Sequence, residues 1–288
     1  MVGPMLRPLH LAAASALLAT PGFAQIRIAN AGLPSPEAPQ ITETLVVRSF
    51  ENLFQVALET SAAFAVTRST ALDLRVPLVW NDAEVGALAD EAFGLGDARL
   101  RVQHSLFQAD DVMASTRYAV YGELRLPTGD DGALTDGALE LPRKLQPGLG
   151  SVGVGGGAVA SFIRDRHRLS FSAGLRWHDE AGGFQHGSEF ELGAAWWYRL
   201  QPVAFTNEPV TEVRGVFELI GTWRADSELD SVELGDEGFE AWFAPGIQVF
   251  PSADLLVQAS LAVPIADGID DALGDREWGF SLGLRWFL

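Results

Sequence analysis

Glu277-Trp278-Gly279-Phe280-Ser281-Leu282-Gly283-Leu284-Arg285-Trp286-Phe287-Leu288 alternates almost residue by residue. Trp278, Phe280, Leu282, Leu284, Trp286 and Leu288 take one parity; Glu277, Gly279, Ser281, Gly283 and Arg285 take the other. In an extended chain successive side chains point to opposite faces, so this segment reads as a strand with one apolar face and one polar or small face. Leu169, Phe171, Ala173, Leu175 and Trp177 alternate in the same way with Arg168, Ser170, Ser172, Gly174 and Arg176. Val213, Phe217, Leu219 and Trp223 do so with Glu212, Arg214, Glu218 and Arg224.

Working outward, the same period predicts strands near 42–51, 53–66, 70–80, 96–108, 115–127, 149–163, 167–178, 188–200, 212–224, 239–250, 254–265 and 277–288. The first two are the least sharply divided, because no clear turn residue separates them. Strands of about 12 residues are roughly twice the usual length in soluble sheets. Their connections mostly alternate short and long: Thr67-Arg68-Ser69, 109–114, 164–166 and Pro251-Ser252-Ala253 are short, whereas 81–95, 128–148, 179–187, 225–238 and 266–276 are long. Only 201–211 breaks the series. A soluble sandwich can alternate too, but an even number of long strands joined by tight turns at one end and longer loops at the other is the pattern of an outer-membrane barrel.

The tryptophans favour the membrane. Trp80, Trp177, Trp223 and Trp278 fall at the long-loop rim, Trp196 and Trp286 near the opposite rim, all six with the apolar parity. Indoles in two rings match the aromatic girdles that sit at lipid headgroups. The final strand also resembles the terminal signature by which the barrel-insertion machinery recognises its clients, with Leu288 where that signature usually carries Phe or Trp.

The chain has 288 residues, 48% of them hydrophobic, a formal net charge of −18 and no cysteine. That composition excludes a disordered chain and any disulfide framework or thiolate metal site. A single lysine, Lys144, and scattered arginines argue against nucleic acid as a partner, since phosphate contacts need clustered bases. The acids concentrate in the five long loops: Asp82, Glu84, Asp90 and Glu91; Asp130, Asp131, Asp136 and Glu140; Asp179 and Glu180; Asp226, Glu228, Asp230, Glu233, Asp236 and Glu237; Asp267, Asp270, Asp271 and Asp275. Arg143 and Lys144 are among the few bases beside them. Such a crown suits outer-membrane lipid and lipopolysaccharide, bridged by divalent cations. Along the strands, acids and arginines share the polar face, where they can pair across neighbouring strands.

Met1 to Ala24 reads as a secretory signal peptide: Arg7, an apolar run from Leu9 to Ala19, then small residues before a cut at Gln25. Residues 25–40, with Pro34, Pro36 and Pro39, read as an extended periplasmic segment, and 41–288 as the barrel. Catalytic chemistry is not expected. His178-Asp179 and His186-Gly187-Ser188 look like fragments of a hydrolase, but adjacency in sequence does not assemble nucleophile, base and orienting group. The run Gly148, Gly150, Gly153, Gly155, Gly156 and Gly157 lacks the Lys-Ser/Thr of a phosphate loop and reads as strand glycines that leave room beside bulky neighbours. Asp226 to Glu237 lacks the spacing of a calcium loop, so no metal or cofactor is expected.

The middle of the chain resembles a known family. Gly96-Asp97-Ala98-Arg99-Leu100, then Leu124-Arg125-Leu126-Pro127-Thr128-Gly129-Asp130, then Pro147-Gly148-Leu149-Gly150-Ser151 are similar to the bacterial outer-membrane family labelled MetA-pathway of phenol degradation. That resemblance implies a transporter-like barrel passing small, often aromatic or hydrophobic, compounds. The expectation is therefore all-β: a single antiparallel transmembrane barrel of 12 strands in the Gram-negative outer membrane, acting as a passive channel for a small-molecule permeant. Arg75, Arg99, Arg101, Glu123, Arg125, Arg168, Arg176, Glu189, Glu218 and Arg285 are its candidate pore-lining residues. A structural or adhesive barrel with a plugged lumen and binding loops is the alternative.

Overall fold

The computed structural model describes residues 39–85, 88–130, 145–203, 210–269 and 273–288. The signal-peptide assignment and all of 25–40 but its last two residues lie outside them. In chain order the strands are β1 (Gln40–Phe50), β2 (Leu53–Ala65), β3 (Thr70–Val85), β4 (Leu88–Leu95), β5 (Arg99–Asp111), β6 (Ala114–Arg125), β7 (Gly153–Arg164) and β8 (His167–His178). They continue with β9 (Glu180–Ala181), β10 (Phe184–Gln185), β11 (Glu189–Gln201), β12 (Glu212–Arg224), β13 (Glu228–Leu229), β14 (Val232–Glu233), β15 (Gly238–Ser252), β16 (Leu255–Asp267) and β17 (Arg276–Phe287).

The long strands pair antiparallel with their neighbours, and β1 pairs with both β2 and β17, so the sheet closes on itself. β4 and β5 both pair with β3, β4 beside its second half and β5 beside its first. They form one wall strand interrupted at Gly96-Asp97-Ala98. The wall thus has 12 strands, as the alternating pattern predicts. Closure leaves no sheet edge around the circumference.

Parity places the two faces as read from sequence. Trp278, Leu282, Leu284 and Trp286 of β17 are exposed on the outer face, while Gly279, Ser281 and Gly283 are buried inside. Outer aromatic side chains touch across strands: Trp196 stacks on Phe217 with ring centroids 5.6 Å apart, and Phe217 on Phe243 at 6.2 Å. Such cross-strand contacts add to the wall's hydrogen-bond ladder. At the turn end Asp165-Arg166 joins β7 to β8, with Asp165 at φ 54°. A two-residue hairpin turn requires that left-handed conformation, which Asp tolerates.

The loop end differs from expectation. The stretch 81–95 is not a free loop, because β3 runs on through Val85 and β4 returns beside it. The β1–β2 connection is only Glu51-Asn52, although it lies at the same end as the long loops. Parts of 179–187 and 225–238 form a four-stranded sheet in the order β14-β13-β10-β9. Asp131, Asp136, Glu140, Arg143, Lys144, Asp270 and Asp271 lie outside the described residues.

Candidate functional site

The inward parity of β5 to β12 gathers charge on one side of the lumen. Arg101 on β5 donates to Glu123 on β6 at 2.7 Å and lies over the Tyr121 ring at 4.4 Å. Arg176 on β8 bridges two carboxylates: Glu123 at 3.6 Å and Glu189 on β11, to which Nη1 donates. Glu189 in turn faces Arg224 on β12 at 3.4 Å. Beyond it, Arg276 at the start of β17 donates to Glu240 on β15 at 2.9 Å and lies 3.7 Å from Asp267 on β16. Ions inside a barrel are tolerated when each meets an opposite charge, and these chains of pairs supply that.

Glycines make room for them. A Cβ on Gly157 would stand 2.2 Å from the Ala173 carbonyl oxygen and 2.7 Å from the Tyr121 hydroxyl; one on Gly174 would stand 2.3 Å from that hydroxyl. Tyr121 lies across two backbones that only glycine leaves bare. Gly157, one of the run read as strand glycines, thus leaves room for Tyr121, whereas Gly148 and Gly150 of that run lie before β7.

Asp97 organises the loop end. It is 1% exposed, and its carboxylate accepts from the backbone N–H of Gly129 at 3.2 Å and of Leu149 at 2.9 Å. A Cβ on Gly129 would lie 2.4 Å from Gly96 Cα and 2.7 Å from Gly148 Cα. Asp130 closes the knot, its backbone N–H donating to Leu95 and its side chain accepting from the Leu95 N–H. The three sequence stretches that carry the family resemblance therefore meet at one point.

From that knot the chain enters the lumen. Leu145 and Gln146 are completely buried. Leu145 packs in a cluster with Phe50, Leu53, Ala83, Ala92, Trp242, Ala244 and Ala262, inward residues of β1 to β4, β15 and β16. A buried chain of hydrogen bonds fixes its backbone: Arg48 Nη1 donates to Gln55, Gln55 Nε2 to Asn81, and Asn81 Nδ2 to the Leu145 carbonyl, each at 2.7 Å. The end of the stretch 128–148, read from sequence as an outer loop, is a lumenal segment instead. Leu145 shares its cluster with Trp242 and Phe50, which the wall turns inward.

The backbone is similar to that of an outer membrane channel. The similar structure, from Pseudomonas putida F1, shares 12% identity with a TM-score of 0.69, covering 93% of this chain and all of that one. At that identity the likeness concerns the fold. The NanC porin (8% identity, TM-score 0.49, 86% of this chain and 100% of that one) and the KdgM porin in complex with disordered oligogalacturonate (6%, 0.48, 86% and 98%) are more distant. No family profile and no curated protein matches the sequence.

The ten residues singled out from sequence all have inward parity, but they are not brought to one ring. Arg101, Glu123, Arg176 and Glu189 form the connected series above. Arg75 pairs with Glu59 at 3.2 Å, and Arg285 donates to Thr42 Oγ1 at 3.1 Å. Arg99, Arg125 and Glu218 are buried in the wall, and Arg168 lies over the Trp197 ring at 5.1 Å. Trp177, Trp196, Trp223, Trp278 and Trp286 are exposed on the outer face; Trp80, half-buried there, donates to Glu91. His178 and His186 are buried rather than solvated, their rings 4.9 Å apart. Asp236 is buried and accepts from the Ser227 N–H, and Asp226 accepts from the Glu237 N–H. These acids tie loops together, a role that composition alone does not reveal.

Sequence reading missed Asp97, Asn81, Gln55, Tyr121, Trp197, Trp242, Glu240, Arg276 and the segment Leu145–Leu149. Asp97 had a signal, its place between Gly96 and a strand. The inward turn of Trp242 was signalled by its parity opposite Phe239 and Phe243.

Proposed function

We propose that the chain is a porin-like channel of the Gram-negative outer membrane, exported by a signal peptide at Met1–Ala24, that passes small molecules through its lumen. The observation that carries this reading is the closed 12-strand wall with apolar side chains outward and charged ones inward, the arrangement in which lipid and water are separated by a single sheet. The outward tryptophans would mark the two headgroup levels, and outer-membrane lipid, lipopolysaccharide and the insertion machinery would be its surroundings. The inward arginines and glutamates would meet the permeant. Convergence of Gly96-Asp97, Gly129-Asp130 and Gly148-Leu149 at one knot supports treating them as one motif, and with it the likeness to transporters of the MetA-pathway of phenol degradation family.

A gate accompanies this reading. Leu145 packs beside Trp242 and Phe50 inside the loop end of the barrel, and on this reading passage requires the segment Leu145–Leu149 to shift. The same observation favours the second reading, a permanently plugged surface barrel. Single-channel recording of refolded protein separates them: the channel reading expects discrete openings, and a silent bilayer with no solute uptake by loaded vesicles contradicts it.

Immersion in lipid has its own test. Leu282 is exposed on the outer face in the middle of β17, opposite Leu45 and Ala259. Leu282→Arg is expected to cost about 2–4 kcal/mol, the cost of arginine near a bilayer midplane. Reversible urea unfolding from lipid vesicles measures it. A loss under about 0.5 kcal/mol, the usual scale of surface substitutions in water, would place Leu282 outside lipid.

A further inference from the structure

His178-Asp179 and His186-Gly187-Ser188, which look in sequence like fragments of a hydrolase, meet in the structure for another purpose. His178 ends β8 and His186 precedes β11; the two residues are 1% and 4% exposed, and their rings are 4.9 Å apart. A carbonyl only accepts, so the His186 Nδ1 that lies 3.0 Å from the Gly187 oxygen carries its proton. His178 Nδ1 is buried with no hydrogen-bond partner among the described residues. This nitrogen stands over Gly153. A Cβ there would lie 3.0 Å from it and 3.2 Å from Arg125 Cβ, because Arg125, Gly153 and His178 are paired directly across β6, β7 and β8.

The short strand β10 touches both histidines. Phe184 meets the His186 ring edge-on at 6.4 Å, and Gln185 Nε2 donates to the His178 carbonyl at 3.1 Å. The rest of the loop sheet is tied to β10, since Phe184 and Gln185 pair with β9 on one side and β13 on the other. The Gly187 N–H, next to His186, donates to Ser227 Oγ.

The charges around the pair come from four elements. Arg125 on β6 and Arg176, two residues before His178 on the same face of β8, are positive. Glu189 on β11 is negative, but Arg176 and Arg224 of β12 already engage it. Of the loop acids, Asp236 is buried and accepts from the Ser227 N–H, while Asp179, Glu180 and Asp230 are exposed. A proton added to His178 in this setting leaves a charged donor unmet beside a guanidinium, which is costly. With the loop lifted, water receives that donor instead.

We propose that His178 and His186 form an acid-sensitive latch: while neutral they seat β10, and with it the four-stranded loop sheet, on the loop end of the barrel, and on taking up protons they release it. The sign follows from linkage. Below about pH 6.5, the ordinary imidazole value, the lifted loop binds protons that the seated loop does not. Seating is therefore fully favoured above that pH and is lost below it, by about tenfold per pH unit for each histidine that must be neutral to seat. The latch goes beyond the channel reading and does not depend on it, so a silent bilayer would leave it standing.

Hydrogen–deuterium exchange of the refolded, detergent-solubilised barrel reads the opening. Between about pH 7.5 and 5.5, where ordinary carboxylates stay charged, peptides covering 179–187 should lose protection by about tenfold or more after correction for intrinsic exchange. Peptides from the wall strand β12 should stay protected throughout, which separates release of the loop from unfolding of the barrel. His178→Phe keeps a ring that cannot take up a proton and should reduce the dependence on pH; His178→Phe with His186→Gln should flatten it. The slope and not the baseline is the readout, so a variant that is looser at every pH still decides. Protection of 179–187 that does not change over this range, or a slope equal in wild type and the double variant, would overturn the latch.

Discussion

Arg176→Gln should destabilise the barrel by about 3–5 kcal/mol, the cost of breaking a buried ion pair by removing one member. Arg176 bridges Glu123 and Glu189, and both carboxylates are nearly inaccessible to solvent. Without the guanidinium, Glu123 retains Arg101 at 2.7 Å and Glu189 retains Arg224 at the longer distance of 3.4 Å, so Glu189 is the group left most exposed to the loss. Removing its charge as well should recover part of the stability. The double variant Arg176→Gln with Glu189→Gln is therefore expected to be more stable than Arg176→Gln alone, a coupling that neighbours in one network show and independent sites do not. Arg176→Lys should fall between, since an ammonium keeps the charge but cannot fork between two carboxylates. Urea unfolding from micelles, followed by tryptophan emission, reads all four proteins. A loss below about 1 kcal/mol, the level of exposed pairs, would mean that water reaches this part of the lumen and screens it.

The second large effect is on conductance. Asp97→Ala removes the acceptor for Gly129 and Leu149 N–H groups, two charge-assisted hydrogen bonds worth about 1.5–3 kcal/mol each. The wall does not depend on them, because the ladders from β5 to β8 are continuous without Asp97. What they hold is the entry of the inward segment. Weakening that anchor should shift the population toward an unseated segment by a factor of ten or more, about 1.4 kcal/mol sufficing for tenfold. Longer and more frequent openings in single-channel records are expected, with the far-ultraviolet signature of the sheet unchanged. Openings no more frequent than in wild type would mean that the Asp97 anchor does not control passage.

The wall was legible in sequence because its physics is local. A sheet one residue thick, with different solvents on its two sides, writes period two into every strand, and Leu169 to Trp177 or Trp278 to Leu288 can be read without knowing their neighbours. β4 was not legible in the same way: in the sequence Asp82, Glu84, Asp90 and Glu91 fall on both sides of the β3–β4 turn and interrupt the apolar alternation. Arg276 was misread as a loop residue because a register shift opposite Ser49 and Phe50 turns it inward, and a bulge leaves no trace in composition.

The site was legible only in part. Parity could assign Arg101, Glu123, Arg176 and Glu189 to the lumen, and shared polarity suggested that they pair. Parity could not say which pair, because tilt and register decide whether Arg176 meets Glu123, Glu189 or both. Leu145-Gln146-Pro147 has no period at all, and its burial follows from a cavity that exists only after 12 strands have closed. Asp97 is the intermediate case. Its flanking glycine and the Leu-Pro-Thr-Gly-Asp of the next strand were visible as turn chemistry, yet the reason for three glycines, close approach of three backbones around one carboxylate, emerges only in three dimensions.

The central claim is that the lumen is a passage closed by the chain's own inward segment. The protein has no cysteine, so Asn81→Cys with Leu145→Cys introduces a single pair, at two positions now joined by a 2.7 Å hydrogen bond. Single-channel recording of this variant before and after adding reductant tests the claim most directly. Silence in the oxidised state and openings on reduction are predicted; equal conductance in both states, or none in either, would contradict it.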